Sequence, residues 1–70
     1  MEIHMKILSA YNVSDKTSLS VSHIRRLSKE GKFPKPIQIS NIRKGWLEAD
    51  VDDWIEQKHL EAKERKVYGH

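Results

Sequence analysis

Seventy residues, 37% hydrophobic and without cysteine, allow one small domain and exclude a disulfide staple or a cysteine-based metal site. The opening "MEIHMKILSA" is too polar for a secretory signal and no apolar run approaches a membrane span, so a cytoplasmic protein is expected. The net charge of +3 divides unevenly: residues 1–47 hold nine Lys/Arg against three acids (+6), and residues 48–70 hold four against seven (−3). Such a split implies one cationic working surface and a separate acidic helix, and a basic half of this size points first to nucleic acid. A chain this short buries only roughly 60% of the surface its unfolded form exposes, so its core must be thin.

Met1–Lys6 shows no pattern and reads as a frayed start. Ser9 then stands where a helix N-cap belongs, with Ile7 and Leu8 anchoring the entry and Val13 turned inward. A capping serine accepts a bond from a free first-turn amide, which contributes about 1 kcal/mol. This helix runs out near Thr17-Ser18. A second start follows at Ser20, where Leu19 can close a hydrophobic staple onto Ile24. Ile24 and Leu27, with Val21 on the flank, make the inner stripe of a helix over about 20–30, and Gly31 supplies its stop.

The next stretch, "KFPKP", cannot continue a helix, because Pro34 and Pro36 lack amide donors and push Phe33 and Lys35 toward extended geometry. "IQI" (37–39) and "GWLE" (45–48), separated by "SNIRK" (40–44), predict a two-stranded β-hairpin. Ile37 and Ile39 share one of its faces, with Trp46 as a bulky partner across the pair. From about Ala49 the pattern is helical again. Val51, Trp54, Ile55 and Lys58 share one side, while Asp50, Asp52 and Asp53 crowd the first turn, where the helix dipole favours negative charge. This helix extends to Lys66, and Val67–His70 reads as loose. Trp46, Trp54 and Phe33 are assigned to the core, since aromatic rings must supply much of the burial in so small a domain.

Two short helices joined by a brief turn are the helix-turn-helix layout, and the adjoining hairpin makes a wing. The expected fold class is therefore α+β, a winged helix-turn-helix of three helices and a two-stranded wing. It would form one domain over 1–70, with its core at about 7–58 and a helical extension at 59–66. With Ile24 at the centre of the buried side, Ser22, Arg25, Arg26 and Lys29 fall on the opposite side of helix 20–30 at about 100° per residue. An outward face of three cations and a hydroxyl suits base edges and phosphates, since Arg grips guanine bidentately and Ser and Lys suit phosphates. Ser20 joins this set at the helix start, where free amides attract a phosphate. Asn41, Arg43 and Lys44 form a second cluster at the hairpin tip, fit for a phosphate track or a minor groove. Lys32 and Lys35 flank the turn and extend the surface. About five to seven phosphate contacts would make affinity fall with salt by about 0.9 log units per contact.

The order of these features resembles a known family. Leu19-Ser20, Ile24-Arg25-Arg26-Leu27, Glu30-Gly31-Lys32-Phe33-Pro34-Lys35-Pro36, Gly45-Trp46 and Val51-Asp52-Asp53-Trp54-Ile55 follow the pattern of the AlpA family of phage and genomic-island regulators. That family is similar to excisionases and to MerR-type winged helix-turn-helix proteins, and the likeness runs over about residues 7–58. Three positions depart from it: Val21 where a basic residue is frequent, Asn41 where Gly is frequent, and Leu47 where Arg is common. The resemblance implies a sequence-specific double-stranded DNA-binding protein of a prophage or genomic island, in the cytoplasm with the bacterial nucleoid. It implies an excisionase (recombination directionality factor), or alternatively an activator of an integrase gene. It further implies DNA bending by copies bound side by side, assisting a tyrosine-type integrase.

Other chemistries have less to stand on. His23 sits at the edge of the buried stripe, where partial packing is the ordinary role. His4, His59 and His70 are scattered without ligand spacing, so neither metal nor cofactor is expected. Asp50, Asp52, Asp53 and Glu56 have no nucleophile, phosphate loop or histidine beside them, and an enzyme is not expected. A reading from another class makes helix 49–66 a docking element for integrase or for a second copy of the chain.

Overall fold

Serine caps open the first two helices, and the chain between and after them is fixed by hydrogen bonds that can be followed residue by residue. The computed structural model describes residues 5–66, with side chains described through Glu64. Helix α1 spans Ala10–Thr17. Its cap Ser9 accepts the Asn12 amide at 3.1 Å, and Asn12 Oδ1 accepts back from the Ser9 amide at 3.4 Å. This is a capping box in which asparagine replaces the usual glutamate or glutamine. Ser18 ends the helix in the left-handed region at φ 66°, its amide donating to the Ser14 carbonyl at 2.8 Å. Three residues, Ser18–Ser20, then turn the chain into helix α2, Val21–Lys29.

Both ends of α2 are satisfied locally. Ser20 Oγ accepts the His23 amide at 3.1 Å. At the far end the Lys32 amide reaches the Leu27 carbonyl at 2.8 Å and the Gly31 amide reaches that of Ser28 at 3.2 Å. That pair of bonds is a Schellman motif, and Gly31 holds its left-handed position at φ +77°. The stop expected at Gly31 is the observed stop.

The sheet has one strand more than the predicted hairpin. Strands β1 (Ile7–Leu8), β2 (Ile37–Gln38) and β3 (Lys44–Leu47) form an antiparallel sheet in the order β1-β3-β2. Ile7 and Leu8 thus pair with Leu47 and Trp46 and are more than an entry anchor. The pairing continues past the strand end, where Lys6 accepts the amide of Glu48 at 2.8 Å, so Lys6 does not belong to a frayed start. Met5 is exposed and outside any strand or helix, while the rest of that expectation, Met1–His4, and the loose end at Val67–His70 lie outside the described residues.

The hairpin register also corrects the expected partnership. Ile37 stands opposite Gly45 and Gln38 opposite Lys44, so Trp46 faces the other side of the sheet from Ile37 and Ile39. The reason is the two-residue period of a strand: Gly45 shares the outward face and its neighbour Trp46 points into the core. Gly45 is required by close approach. A Cβ there would lie 2.5 Å from Ile7 Cγ2 and 2.9 Å from both Ile39 Cδ1 and the Leu8 carbonyl oxygen.

Helix α3 spans Glu48–Lys66 and follows β3 without a break. Because it starts at Glu48, the first-turn acids are Glu48 and Asp50, and Asp52 and Asp53 lie one turn further in. Asp52 finds another use: with Glu48 it holds Lys16 of α1, each at 2.9 Å. The core consists of Leu8, Val13, Ile24, Phe33, Trp46 and Val51, with Ala10, Leu19, Leu27, Trp54 and Ile55 packed against it. Trp54 is half-buried and so belongs to the core's edge, with Lys58 Nζ 5.5 Å from its ring centre. These elements make an α+β domain in the arrangement of a winged helix-turn-helix.

Candidate nucleic-acid interface

The position of the wing relative to α2 depends on the loop between them, and that loop is anchored from three sides. Phe33 is buried, with its ring meeting Trp54 edge-on at 4.8 Å between centres and Trp46 at 6.5 Å. Trp46 Nε1 donates to the Pro34 carbonyl at 2.8 Å, and buried Ser28 Oγ donates to the same oxygen at 3.0 Å. Trp54 Nε1 donates to the Lys32 carbonyl at 2.8 Å. The core tryptophans therefore also close backbone bonds that Pro34 and Pro36, lacking amides, leave the loop short of. Ser28 was not singled out from the sequence. Its signal was there: it lies four residues from Ile24, on the buried stripe, where a hydroxyl must find a partner.

The anchored loop sets the wing across from α2 and leaves an open cleft of about 1220 Å³ between them. Arg25, Arg26 and Lys29 line it from α2, Lys35 from the loop, and Arg43 and Lys44 from the wing. None of the lining residues is acidic. Among the described residues only Arg26, of these six cations, has a carboxylate within 4 Å, that of Glu30 at 3.9 Å between exposed groups. A pair that long and that exposed contributes almost nothing, so the cleft keeps its charge. Lys32 lies outside the cleft with its ammonium 3.7 Å from Glu30.

Six of the eight residues singled out as a binding surface meet here: Arg25, Arg26, Lys29, Asn41, Arg43 and Lys44. Ser20 and Ser22 do not line the cleft. Ser20 Oγ is occupied as the cap acceptor, although its hydroxyl proton remains to be donated. Ser22 is exposed one turn before Arg25 and Arg26 on the same helix stripe. The structure adds residues the sequence reading passed over. Tyr11, 79% exposed, lines the cleft from the start of α1, and Gln38 and Ile42 line it from the wing. Tyr11 was legible in principle, since two residues from buried Val13 is about 200° around a helix.

The family described as "Prophage CP4-57 regulatory protein (AlpA)" matches residues 6–59, most of the chain. The chain belongs to the AlpA family. Its prophage regulatory character comes with that membership. No curated protein and no solved structure gives a significant match. The matched stretch of this AlpA-family chain runs from the residue before β1 through the first three turns of α3, so it takes in every cleft residue named above. No helix among the described residues is long and apolar enough to cross a membrane.

Proposed function

We propose that this AlpA-family protein binds double-stranded DNA in a sequence-specific manner and acts as an excisionase of its prophage or genomic island. The observation that carries the reading is the cleft in which six cations and no acid line the space between a capped helix and a wing. With its side chains an α-helix such as α2 is about 10–12 Å across, which a major groove about 12 Å wide admits. In this reading Arg25, Arg26 and Lys29 meet base edges and phosphates, with Ser22 one turn earlier on the same stripe. Asn41, Arg43 and Lys44 follow the adjoining groove, and the Ser20 hydroxyl donates to a phosphate.

Six phosphate neutralisations give a log–log salt slope of about −5. The test is a gel-shift titration across tiled fragments of the element's ends and its integrase promoter at two salt concentrations. Tight, salt-sensitive binding at an attachment-site arm supports excision. Binding confined to the promoter supports the alternative, activation of the integrase gene. Binding no tighter than to random duplex anywhere refutes the specific-DNA reading.

One observation favours an added role for α3. Beyond Lys58, which lies against Trp54, every side chain from His59 to Glu64 is exposed, so this part of the helix is available to integrase or to a second copy. Removing residues 60–70 should then spare DNA affinity and lower excision, and unchanged excision would exclude the role.

A further inference from the structure

The tip of the wing presents an apolar side chain where a turn ordinarily carries a small polar residue. Ile42 is 94% exposed, the most exposed of the large hydrophobic side chains in the described residues. Single exposed apolar residues are common on protein surfaces. Ile42 differs in three respects: where it stands, what surrounds it, and how firmly it is held. It lines the cationic cleft, between Asn41 on one side and Arg43 and Lys44 on the other. The backbone beneath it is closed by hydrogen bonds. The Ile39 amide donates to the Arg43 carbonyl at 2.9 Å, the Ser40 amide to the same oxygen at 3.2 Å, and the Gln38 side-chain amide to the Ser40 carbonyl. The Ile42 amide itself donates to Ser40 Oγ at 3.4 Å. Folding thus uses the backbone of this residue and leaves its side chain without burial. A β-branched chain is also stiff about its first torsion.

We propose that Ile42 is a wedge that enters the minor groove and opens a base step, kinking the duplex that α2 and the wing hold. The flanking cations deliver the tip to the groove, whose phosphates they track, and the apolar side chain then finds its burial against an exposed base face. Insertion of Ile or similar side chains between base steps kinks DNA by about 20–90°. Pyrimidine–purine steps such as TA open most readily. The wedge therefore selects such steps without reading a base edge, and this inference rests on the DNA-binding reading above.

The experiment uses the full chain and a 30-base-pair A·T-rich duplex with one central TA step, at low salt. The duplex carries dyes at its two ends and 2-aminopurine in place of the adenine of that step. For the unsubstituted protein, binding raises 2-aminopurine emission and energy transfer between the ends together. Ile42→Ala binds within roughly tenfold of that affinity, because lost burial and avoided unstacking offset one another. It loses most of both signals, and Ile42→Met restores them. Saturated Ile42→Ala complexes that light and bend as the unsubstituted complexes do would overturn the wedge while leaving DNA binding intact. So would binding by the unsubstituted chain with neither signal. Failure of the unsubstituted chain to bind any duplex is a different result, in which the DNA reading itself fails and the wedge with it.

Discussion

Two glycines in this chain are needed for unrelated reasons, and substitution at each should separate them. At Gly31 a Cβ would meet nothing within 4 Å, but the backbone sits at φ +77°. Alanine there costs about 1–2 kcal/mol for the left-handed conformation and regains about 0.4–1 kcal/mol from a stiffer unfolded chain. The net loss is about 1 kcal/mol, a fall in Tm of about 4–8 °C for a domain this small. Asparagine, which adopts the left-handed region more readily, should cost less than alanine. At Gly45 φ is ordinary and the difficulty is space. Of the atoms a Cβ would meet, only Ile39 Cδ1 is a free side-chain end; Ile7 Cγ2, at 2.5 Å, sits on a stiff β-branched carbon, and the Leu8 carbonyl oxygen at 2.9 Å moves only if β1 moves. Overpacking of this kind costs about 1–3 kcal/mol, a fall of roughly 5–20 °C. Asparagine, being larger, should be worse than alanine. Thermal unfolding followed by circular dichroism on the four variants gives the answer. Opposite rank orders at the two sites are expected, and the same order at both would refute the reasoning.

Three further outcomes follow from the hydrogen bonds and charges. Ser28→Ala alone should cost about 1 kcal/mol in urea unfolding, because the Pro34 carbonyl keeps its bond from Trp46. The double variant Ser28→Ala, Trp46→Phe leaves that oxygen without a donor and should cost more than the two single changes together; strict additivity would show that the oxygen is not shared. Lys16 has its pKa raised above the ordinary 10.5 by its hydrogen bonds to Asp52 first and Glu48 second. A raised folded pKa means stabilisation that is full below the unfolded value and is lost as pH rises through the folded one. The Tm gap between the unsubstituted protein and Lys16→Met should thus be constant from pH 7 to about 10 and close above that; a gap unchanged at high pH contradicts the ion pairs. For DNA, Lys35→Ala should lower the log–log salt slope by about 0.9, and Lys32→Ala, outside the cleft, should leave it unchanged. Equal effects of the two would mean that the cleft is not the contact surface.

What could be read from the sequence is what local chemistry decides. Ser9 and Ser20 start helices because each accepts an amide three residues on, and Gly31 ends one because its own φ permits it. Both bonds and that angle are settled within a few residues, so the letters suffice. β1 was not legible, since two residues carry no period and Ile7-Leu8 become a strand only by pairing with Leu47 and Trp46, about forty positions away. The facing of Ile37 was missed for a related reason: which β3 residue stands opposite it is set by register across a loop, and a slip of one exchanges Gly45 for Trp46. Trp54 was placed wholly in the core by its helical spacing, but it packs at the core's edge and stays half-buried, with Lys58 rather than an apolar neighbour over its ring. At the cleft, the cations of α2 were visible as a stripe. Tyr11 and Gln38 come from elements whose approach only the folded loop determines.

That loop also answers how a thin core holds six like charges around one cleft. Carboxylates set among them would relieve the repulsion, but each would cancel the charge that a polyanion needs. Among the described residues the close ion pairs avoid the cleft: Lys16 with Glu48 and Asp52 lies where α1 meets α3. What fixes the cleft walls is instead neutral. Two indole N–H groups and one serine hydroxyl donate to the Lys32 and Pro34 carbonyls, at distances between 2.8 and 3.0 Å. Such bonds are insensitive to salt, whereas the repulsion between the cations is screened by it. The scaffold should therefore gain stability as salt rises over the range in which DNA affinity falls. Thermal unfolding of the Lys16→Met variant in rising sodium chloride, without DNA, measures this free of the α1–α3 ion pairs, and a Tm that drops with salt there would mean that repulsion among the cleft cations does not limit the fold.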